Sequence, residues 1–285
     1  MRFCSSRVRL WAGTLALGGT VAGAGGCASA ASVPVQDEVQ LGRQAAYDIN
    51  RQLPIIGEGA VNSYINQLGS QIANRADTRG LRYTFYVVNE NVVNAFALPG
   101  GYIYINRGLI ERADNMSELA GVLAHEIAHV TERHGVEQMA RAQNANTGVG
   151  LGAALYGILT GRQLGGVAGA AVQIGGAGYF ARHGREAERE ADLKGVEFVT
   201  RAGINPQGMV TFFNKLLQER RRNPSGLEQF FSTHPLTEER IQNTSRAVQA
   251  IPTAQRQRLT TDTQAFQQFK ANVRRLPAAP PARRR

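Results

Sequence analysis

Hydrophobic and polar positions alternate along the chain with two periods. From Asp37 to Leu53, "DEVQLGRQAAYDINRQL" sets Val39, Leu41, Ala45, Ala46, Ile49 and Leu53 at roughly helical spacing, which predicts an amphipathic helix. Pro54, Gly57 and Gly59 interrupt it, and a second helix is predicted from Ala60 to about Arg75 with Val61, Tyr64, Ile65, Leu68 and Ile72 on one face. The period then shortens. "LRYTFYVVN" (Leu81 to Asn89) and "YIYIN" (Tyr102 to Asn106) are rich in aromatic and β-branched residues and read as strands. Between them Pro99, Gly100 and Gly101 predict a tight turn, so the expected sheet is small and antiparallel.

Helical spacing returns after Ser117, a candidate N-cap, in "ELAGVLAHEIAHV". Only Glu118, His125, Glu126 and His129 break its apolar character, so the helix must be buried, and polar groups inside it are costly unless paired. Residues 146–178 are glycine-rich, with Arg162 their only charged side chain. Glycine at that density weakens helices, and each apolar half is short for a bilayer. The preferred reading is small-residue helices packed beside the site rather than a membrane hairpin. Further helices are predicted over Arg185 to Arg201, Gln207 to Arg222, and from Pro235 through Ile241 to Ala250. The pattern implies a mainly helical α+β domain over 36–250 and a basic, Pro-rich, partly disordered tail over 251–285, with one polar helical stretch near Gln264 to Val273.

The first residues stand apart. Arg2, Arg7 and Arg9 precede an uncharged apolar run from Leu10 to Ala24, diluted by glycines and too short to span a bilayer, which is the layout of a signal peptide over 1–26. "AGGC" (Ala24 to Cys27) resembles a lipobox, although lipoproteins usually carry leucine where this chain has Ala24. A competing cleavage site follows Ala30. Lipidation of Cys27 is preferred, because a cysteine directly after an apolar run is otherwise unexplained. The chain has two cysteines, and the mature form keeps at most Cys27, which excludes an intramolecular disulfide framework and leaves packing or a metal to hold the fold. The formal charge of +10 includes the leader arginines and the clusters Arg220 to Arg222 and Arg283 to Arg285. Those clusters lack interleaved aromatics, so nucleic acid is not an expected partner, whereas an anionic membrane or wall surface suits an exported basic protein.

Residues four apart on a helix share a face, so His125 and His129 can aim two imidazoles at one ion with Glu126 beside them. A single zinc ion satisfies both rings inside a buried helix. A catalytic zinc needs a third protein ligand and an open position. His134 lies nine residues after His125, where the extended HExxHxxGxxH pattern needs ten, and Glu132 stands where that pattern has glycine. His134 is therefore assigned to the helix C-terminus, where an imidazole interacts well with the dipole. "EREAD" offers the alternative: Glu188 as third ligand, with Asp192 one turn on to orient a ligating histidine.

Four stretches together, "NAFALPGGYIYINRGLI" (Asn94 to Ile110), "ELAGVLAHEIAHV" (Glu118 to Val130), "REAEREAD" (Arg185 to Asp192) and "THPLTEERI" (Thr233 to Ile241), resemble the zinc endopeptidases of metallopeptidase family forty-eight, from about Glu38 to Val248. That family includes prenyl-protein endopeptidases, a membrane heat-shock protease, a mitochondrial inner-membrane stress protease and periplasmic quality-control lipoproteins. The resemblance implies a gluzincin-like fold whose edge strand borders the cleft. It also implies one Zn²⁺ per chain on His125, His129 and Glu188, Glu126 as catalytic base and Asp192 supporting the ligands. It draws in His234 and Arg240, which are similar to the histidine and arginine of the family's HPxxxxR segment. His234 either stabilises the oxyanion or occupies the fourth zinc position until substrate displaces it. Gly184 departs from related chains, which often carry serine there.

The implied activity is an endopeptidase of the periplasm, attached to the outer membrane as a lipoprotein and acting on unfolded or misfolded polypeptides. No phosphate-binding loop is present in the sequence, so ATP dependence is not expected. A different class of function is also open: an assembly or chaperone-like binding factor for envelope proteins with latent proteolysis.

Overall fold

The computed structural model describes residues 33–57, 59–138, 177–224 and 226–279, of which 177–183 are described by their backbone alone. The expected leader, Cys27, Ala30 and the glycine-rich 146–178 stretch up to 176 lie outside the described residues.

The chain runs α1 (Val35–Asn50), α2 (Ala60–Ala76), β1 (Thr84–Val88), β2 (Ala95–Leu98), β3 (Tyr102–Asn106), α3 (Arg107–Arg112) and α4 (Met116–Thr131). It continues with α5 (Ala177–Arg201), α6 (Gln207–Arg222), α7 (Glu228–Thr233), α8 (Glu238–Ala250), α9 (Thr253–Arg256) and α10 (Gln264–Arg274). Helices dominate, as the periodicity implies. Among the described residues no helix is long and apolar enough to cross a membrane.

The sheet differs from the antiparallel one expected. Its order is β1-β3-β2, with β2 and β3 antiparallel but β1 and β3 parallel. The tight β2–β3 turn forces an antiparallel hairpin, with Gly100 and Gly101 at φ 77° and 94°, a region that side-chain-bearing residues rarely enter. The link from β1 to β2 then passes the end of β3, so β3 becomes central and β2 becomes an edge.

Period-two alternation divides the sheet between two cores. Phe85, Val87, Ala95, Ala97, Ile103 and Ile105 join the main core with α2 and α4. Val88, Phe96, Leu98 and Tyr104 pack instead with Ala45, Ala46 and Ile49 of α1. Tyr104 stacks between Tyr86 and Phe96 at 4.8 and 4.7 Å, and its hydroxyl donates to Asn50 Oδ1 at 2.9 Å.

α4 is the axis of the main core, with α2, α5, α6 and β2 packed around it. Its cap is Asn115 rather than the expected Ser117: the Asn115 side chain accepts from Glu118 N, and Ser117 Oγ donates to that same oxygen. Glu118 reaches back to Asp114 N at 2.9 Å, which satisfies a second backbone donor at the helix start. Gly121 lets α6 approach closely, since a Cβ there would meet Met209 Cγ at 2.4 Å and Met209 Cα at 3.2 Å. Gly121→Ala is therefore expected to lower unfolding stability by about 1–3 kcal/mol, read from the denaturant midpoint. An unchanged midpoint would show that this contact yields freely.

Two further features frame the site. Glu38, in the first turn of α1 and 0% exposed, accepts from Arg133 Nε at 2.9 Å and from Gly100 N at 3.3 Å, and it pairs with Arg79 at 3.5 Å. It joins α1, the β2–β3 turn and the chain beyond α4. At the other end, α10 buries Phe266, Phe269 and Val273 and stacks Phe269 on Tyr64 of α2 at 4.5 Å.

Candidate metal centre

His125 and His129 lie one turn apart on α4, and their Nε2 atoms stand 3.1 Å from each other. α5 crosses α4 closely and brings Glu188, whose oxygens are 3.4 Å from His125 Nε2 and 3.2 Å from His129 Nε2. His234, just after α7, adds its Nδ1 at 3.3 Å from His125 Nε2 and 3.2 Å from both Glu188 oxygens. These four residues offer ligand atoms that all lie within 4.8 Å of one another.

The donor set fits a metal ion. Metal–ligand bonds of about 2.0–2.1 Å in a tetrahedron separate its corners by about 3.3–3.4 Å. The distances above, 3.1 to 3.4 Å, lie close to those edges for five of the six residue pairs, with Glu188 turning one oxygen toward His125 and the other toward His129. Hydrogen bonds alone do not account for the group. Glu126, 1% exposed, leaves Oε1 without a hydrogen-bond partner, with His234 Nε2 standing 3.6 Å from it. A buried carboxylate oxygen in that state is costly unless the site holds more than the protein's own atoms.

Surrounding residues contact three of the four cage side chains, His125, Glu188 and His129. Asp192, one turn beyond Glu188, stands 3.0 Å from His125 Nδ1, on the far side of the ring from the cage. Arg240 spans both carboxylates, with Nη1 at 2.8 Å from Glu188 and Nε and Nη2 each at 2.8 Å from Asp192. Thr237 caps α8 by accepting from Arg240 N, which fixes where that side chain starts. His129 has a different partner: its Nδ1 meets His134 Nδ1 at 2.9 Å, and His134 Nε2 lies 3.3 Å from Glu190 Oε2. His134 is thus outside the cage, and its ring meets His129, in the last turn of α4, and Glu190.

Burial and charge divide the protons of the metal-free cluster. Burial alone would raise Glu188, but His234, Arg240 and His125 hold it well below the usual carboxylate range. Burial would lower His125, yet Glu188 and Asp192 outweigh it and push that imidazole up to about 10. His129 is lowered to about 3, chiefly by burial. Burial also raises Glu126. Glu188 is therefore an ionised donor and Glu126 the more basic carboxylate.

The cage opens on a cavity of about 70 Å³ bounded on one side by Phe96 to Pro99 of the edge strand and on the other by Glu126, His129 and His234. Asn106 N donates to Asn94 O at 2.9 Å, which sets the phase of the β2–β3 ladder: Ala95 and Ala97 turn their backbone groups to the free edge. His234 Nε2 lies 3.3 Å from Ala95 O on that edge.

The five residues taken from the HExxH and "EREAD" stretches, with His234 and Arg240, come together in one place. Glu38 and the His134–Glu190 contact were not anticipated. A buried-face signal for Glu38 was present, because it leads Gly42, Ala45 and Ile49 along α1. The His134 contact had none: it depends on Arg133 taking a left-handed backbone, φ 61°, that folds the next residue under α4.

A mainly helical domain with HExxH on one core helix, a carboxylate ligand candidate on the crossing helix and a strand edge beside them defines a metallopeptidase. Residues 60–248, more than half of the chain, match the model of peptidase family M48, and the chain belongs to that family. It is 31% identical over 230 residues to the beta-barrel assembly-enhancing protease of Escherichia coli (strain K12), an alignment covering 80% of this chain and 47% of that one. It is 32% identical over 237 residues to the putative beta-barrel assembly-enhancing protease of Vibrio cholerae, covering 82% and 47%. The mitochondrial metalloendopeptidase OMA1 of Saccharomyces cerevisiae is 31% identical over 174 residues, covering 59% and 47%. The chain spans about half the length of these relatives. Gly184, the departure noted in the sequence, has nothing within 4 Å of where a Cβ would stand, so no contact described here depends on it.

Proposed function

We propose that this chain is a zinc-dependent, ATP-independent endopeptidase of the bacterial cell envelope that degrades misfolded or stalled envelope proteins. The observation that carries the reading is the four-cornered donor cage with Glu126 Oε1, which lacks a hydrogen-bond partner, against it and the outer edge of β2 alongside. His125, His129 and Glu188 would hold the ion, the nitrogen-rich donor set suiting zinc. Bound there, zinc supplies Lewis acidity, polarising a carbonyl oxygen and lowering the pKa of water. Glu126, made more basic by burial, takes a proton from the attacking water and returns it to the leaving amine. Ala97 N–H and C=O and the Ala95 carbonyl align an extended substrate by backbone pairing. Asp192 and Arg240 are positioning residues, locking the His125 ring and the Glu188 carboxylate.

His234 supports the latent version of this site. Its Nδ1 sits at the fourth corner while its Nε2 stands against Ala95 O, so one ring covers both the open metal position and part of the substrate-pairing edge. Substrate must displace it. His234→Ala is expected to raise cleavage of an unfolded polypeptide several-fold, measured as initial rate at equal zinc content. A fall in rate would assign His234 to the oxyanion instead.

A signal peptide over 1–26 and lipidation of Cys27, with cleavage after Ala30 as the alternative, would deliver the enzyme to the periplasmic face of the outer membrane. The relatives named as beta-barrel assembly-enhancing proteases support an envelope substrate. Comparing cleaved protein termini in cells carrying the active or the Glu126→Gln protein tests the reading directly: fragments of envelope proteins should appear only with the active form. A second reading, an assembly factor with latent proteolysis, is favoured by the same covered metal corner. Rescue of a deletion strain by Glu126→Gln would support it.

A further inference from the structure

We propose that His134 is a positioning residue for the metal site, fixing the tautomer and ring angle of His129 through a relay that ends on Glu190. The proposal rests on the reading of His129 as a metal ligand.

His129 turns Nε2 into the cage, 3.1 Å from His125 Nε2 and 3.2 Å from Glu188 Oε1. To offer that nitrogen's lone pair to a cation, the neutral ring must carry its proton on Nδ1. Nδ1 meets His134 Nδ1 at 2.9 Å, and two ring nitrogens at that distance share one proton between a donor and an acceptor. His129 being the donor, His134 accepts on Nδ1 and so carries its own proton on Nε2. That nitrogen stands 3.3 Å from the Glu190 carboxylate, which can accept it. The order of donors therefore runs from His129 to His134 to Glu190, and each step fixes the next. It also ties α4 to α5, the two helices that carry the ligands.

The two ligating histidines are supported unequally. His125 faces Asp192, which is 2% exposed and held by two contacts from Arg240. His129 relies on a second imidazole, 5% exposed, whose own acceptor Glu190 has a side chain 52% exposed. His134 keeps its place because Arg133 adopts φ 61° and its guanidinium donates to Glu38 Oε2 at 2.9 Å and to Val33 O at 2.6 Å. The start of α1 thereby braces the residue that braces a ligand.

The test measures zinc affinity by chelator competition in the full chain carrying Glu126→Gln, together with the visible spectrum after cobalt substitution. His134→Phe keeps a ring and removes both relay contacts; it should weaken zinc binding by about ten- to a hundred-fold and shift the cobalt bands. His134→Asn places an amide oxygen where Nδ1 stood and should keep affinity within about three-fold of the parent, with the bands unmoved. Glu190→Ala, changing a half-exposed side chain that cannot compromise folding of the core, should weaken binding by a few-fold. Unchanged affinity in His134→Phe, an equal loss in His134→Asn and His134→Phe, or unchanged affinity in Glu190→Ala would overturn the relay. His129→Ala on the same background separates the two readings. If it binds zinc as tightly as the parent, His129 is not a ligand and both readings fail; if it loses zinc while His134→Phe does not, only the relay fails.

Discussion

Glutamine at position 126 is expected to lower cleavage of an unfolded polypeptide by about 10²–10⁴-fold, the contribution of a positioned general base, while leaving zinc content at that of the parent. The side chain is 1% exposed and lies outside the four residues of the donor cage, with Oε1 lacking a hydrogen-bond partner. Glutamine nearly matches its shape, so the packing of α4 survives. What disappears is a carboxylate that burial has made more basic than usual and that can therefore accept a proton from water. Rates and metal content measured on one preparation check this. Parent-like turnover would remove Glu126 from the mechanism, and loss of zinc would make it part of the cage.

Glu188→Gln should have the opposite signature, losing metal first and activity as a consequence. Glu188 is the only anion among the four corners, and Arg240 and the surrounding imidazoles keep it ionised. Replacing it by a neutral amide removes the charge that a dication and Arg240 both use, and leaves a buried guanidinium with Asp192 as its remaining carboxylate. Zinc affinity should fall by more than the ~100-fold typical of losing a supporting contact. The metal-free protein should also melt at a lower temperature, since a buried cation has lost one of its partners. Equilibrium dialysis and a thermal melt read the two effects separately. Parent-like zinc affinity in this variant would assign the third protein ligand elsewhere.

The pairing of His125 and His129 was legible because its information is local: four residues of helix determine that they share a face, and an apolar helix containing them had to be buried. Glu188 was legible as a candidate for a related reason, since its own helix places Asp192 one turn away on the same face. The sheet was legible in its strands but not in its pairing. Neither strand's pattern records which neighbour lies on which edge, and the parallel β1–β3 pair follows from the path of a short link around β3. His134 shows the same boundary. Spacing excluded it from the cage, but its actual place beneath His129 is set by one left-handed residue and by a carboxylate almost a hundred positions earlier, at Glu38. Contacts of that kind are created by packing. The stretch beyond residue 250 reads as polar from its composition, yet Phe266, Phe269 and Val273 occur at helical spacing and find a surface on α2.

His234 is the site residue whose role the sequence left most open. Sequence placed it before a proline with two roles open. Its Nδ1 stands at a corner of the cage and its Nε2 at the strand edge, and under the proposed function it would plug the groups that a substrate needs. A protease with such a plug would cleave little until an extended chain entered beside β2.

Titrating metal-free protein with zinc while following cleavage of an unfolded polypeptide tests the central claim most directly. The account predicts no cleavage without metal and a linear rise that breaks at one zinc per chain; cleavage that persists in the metal-free protein, or that shows no break at one equivalent, would contradict it.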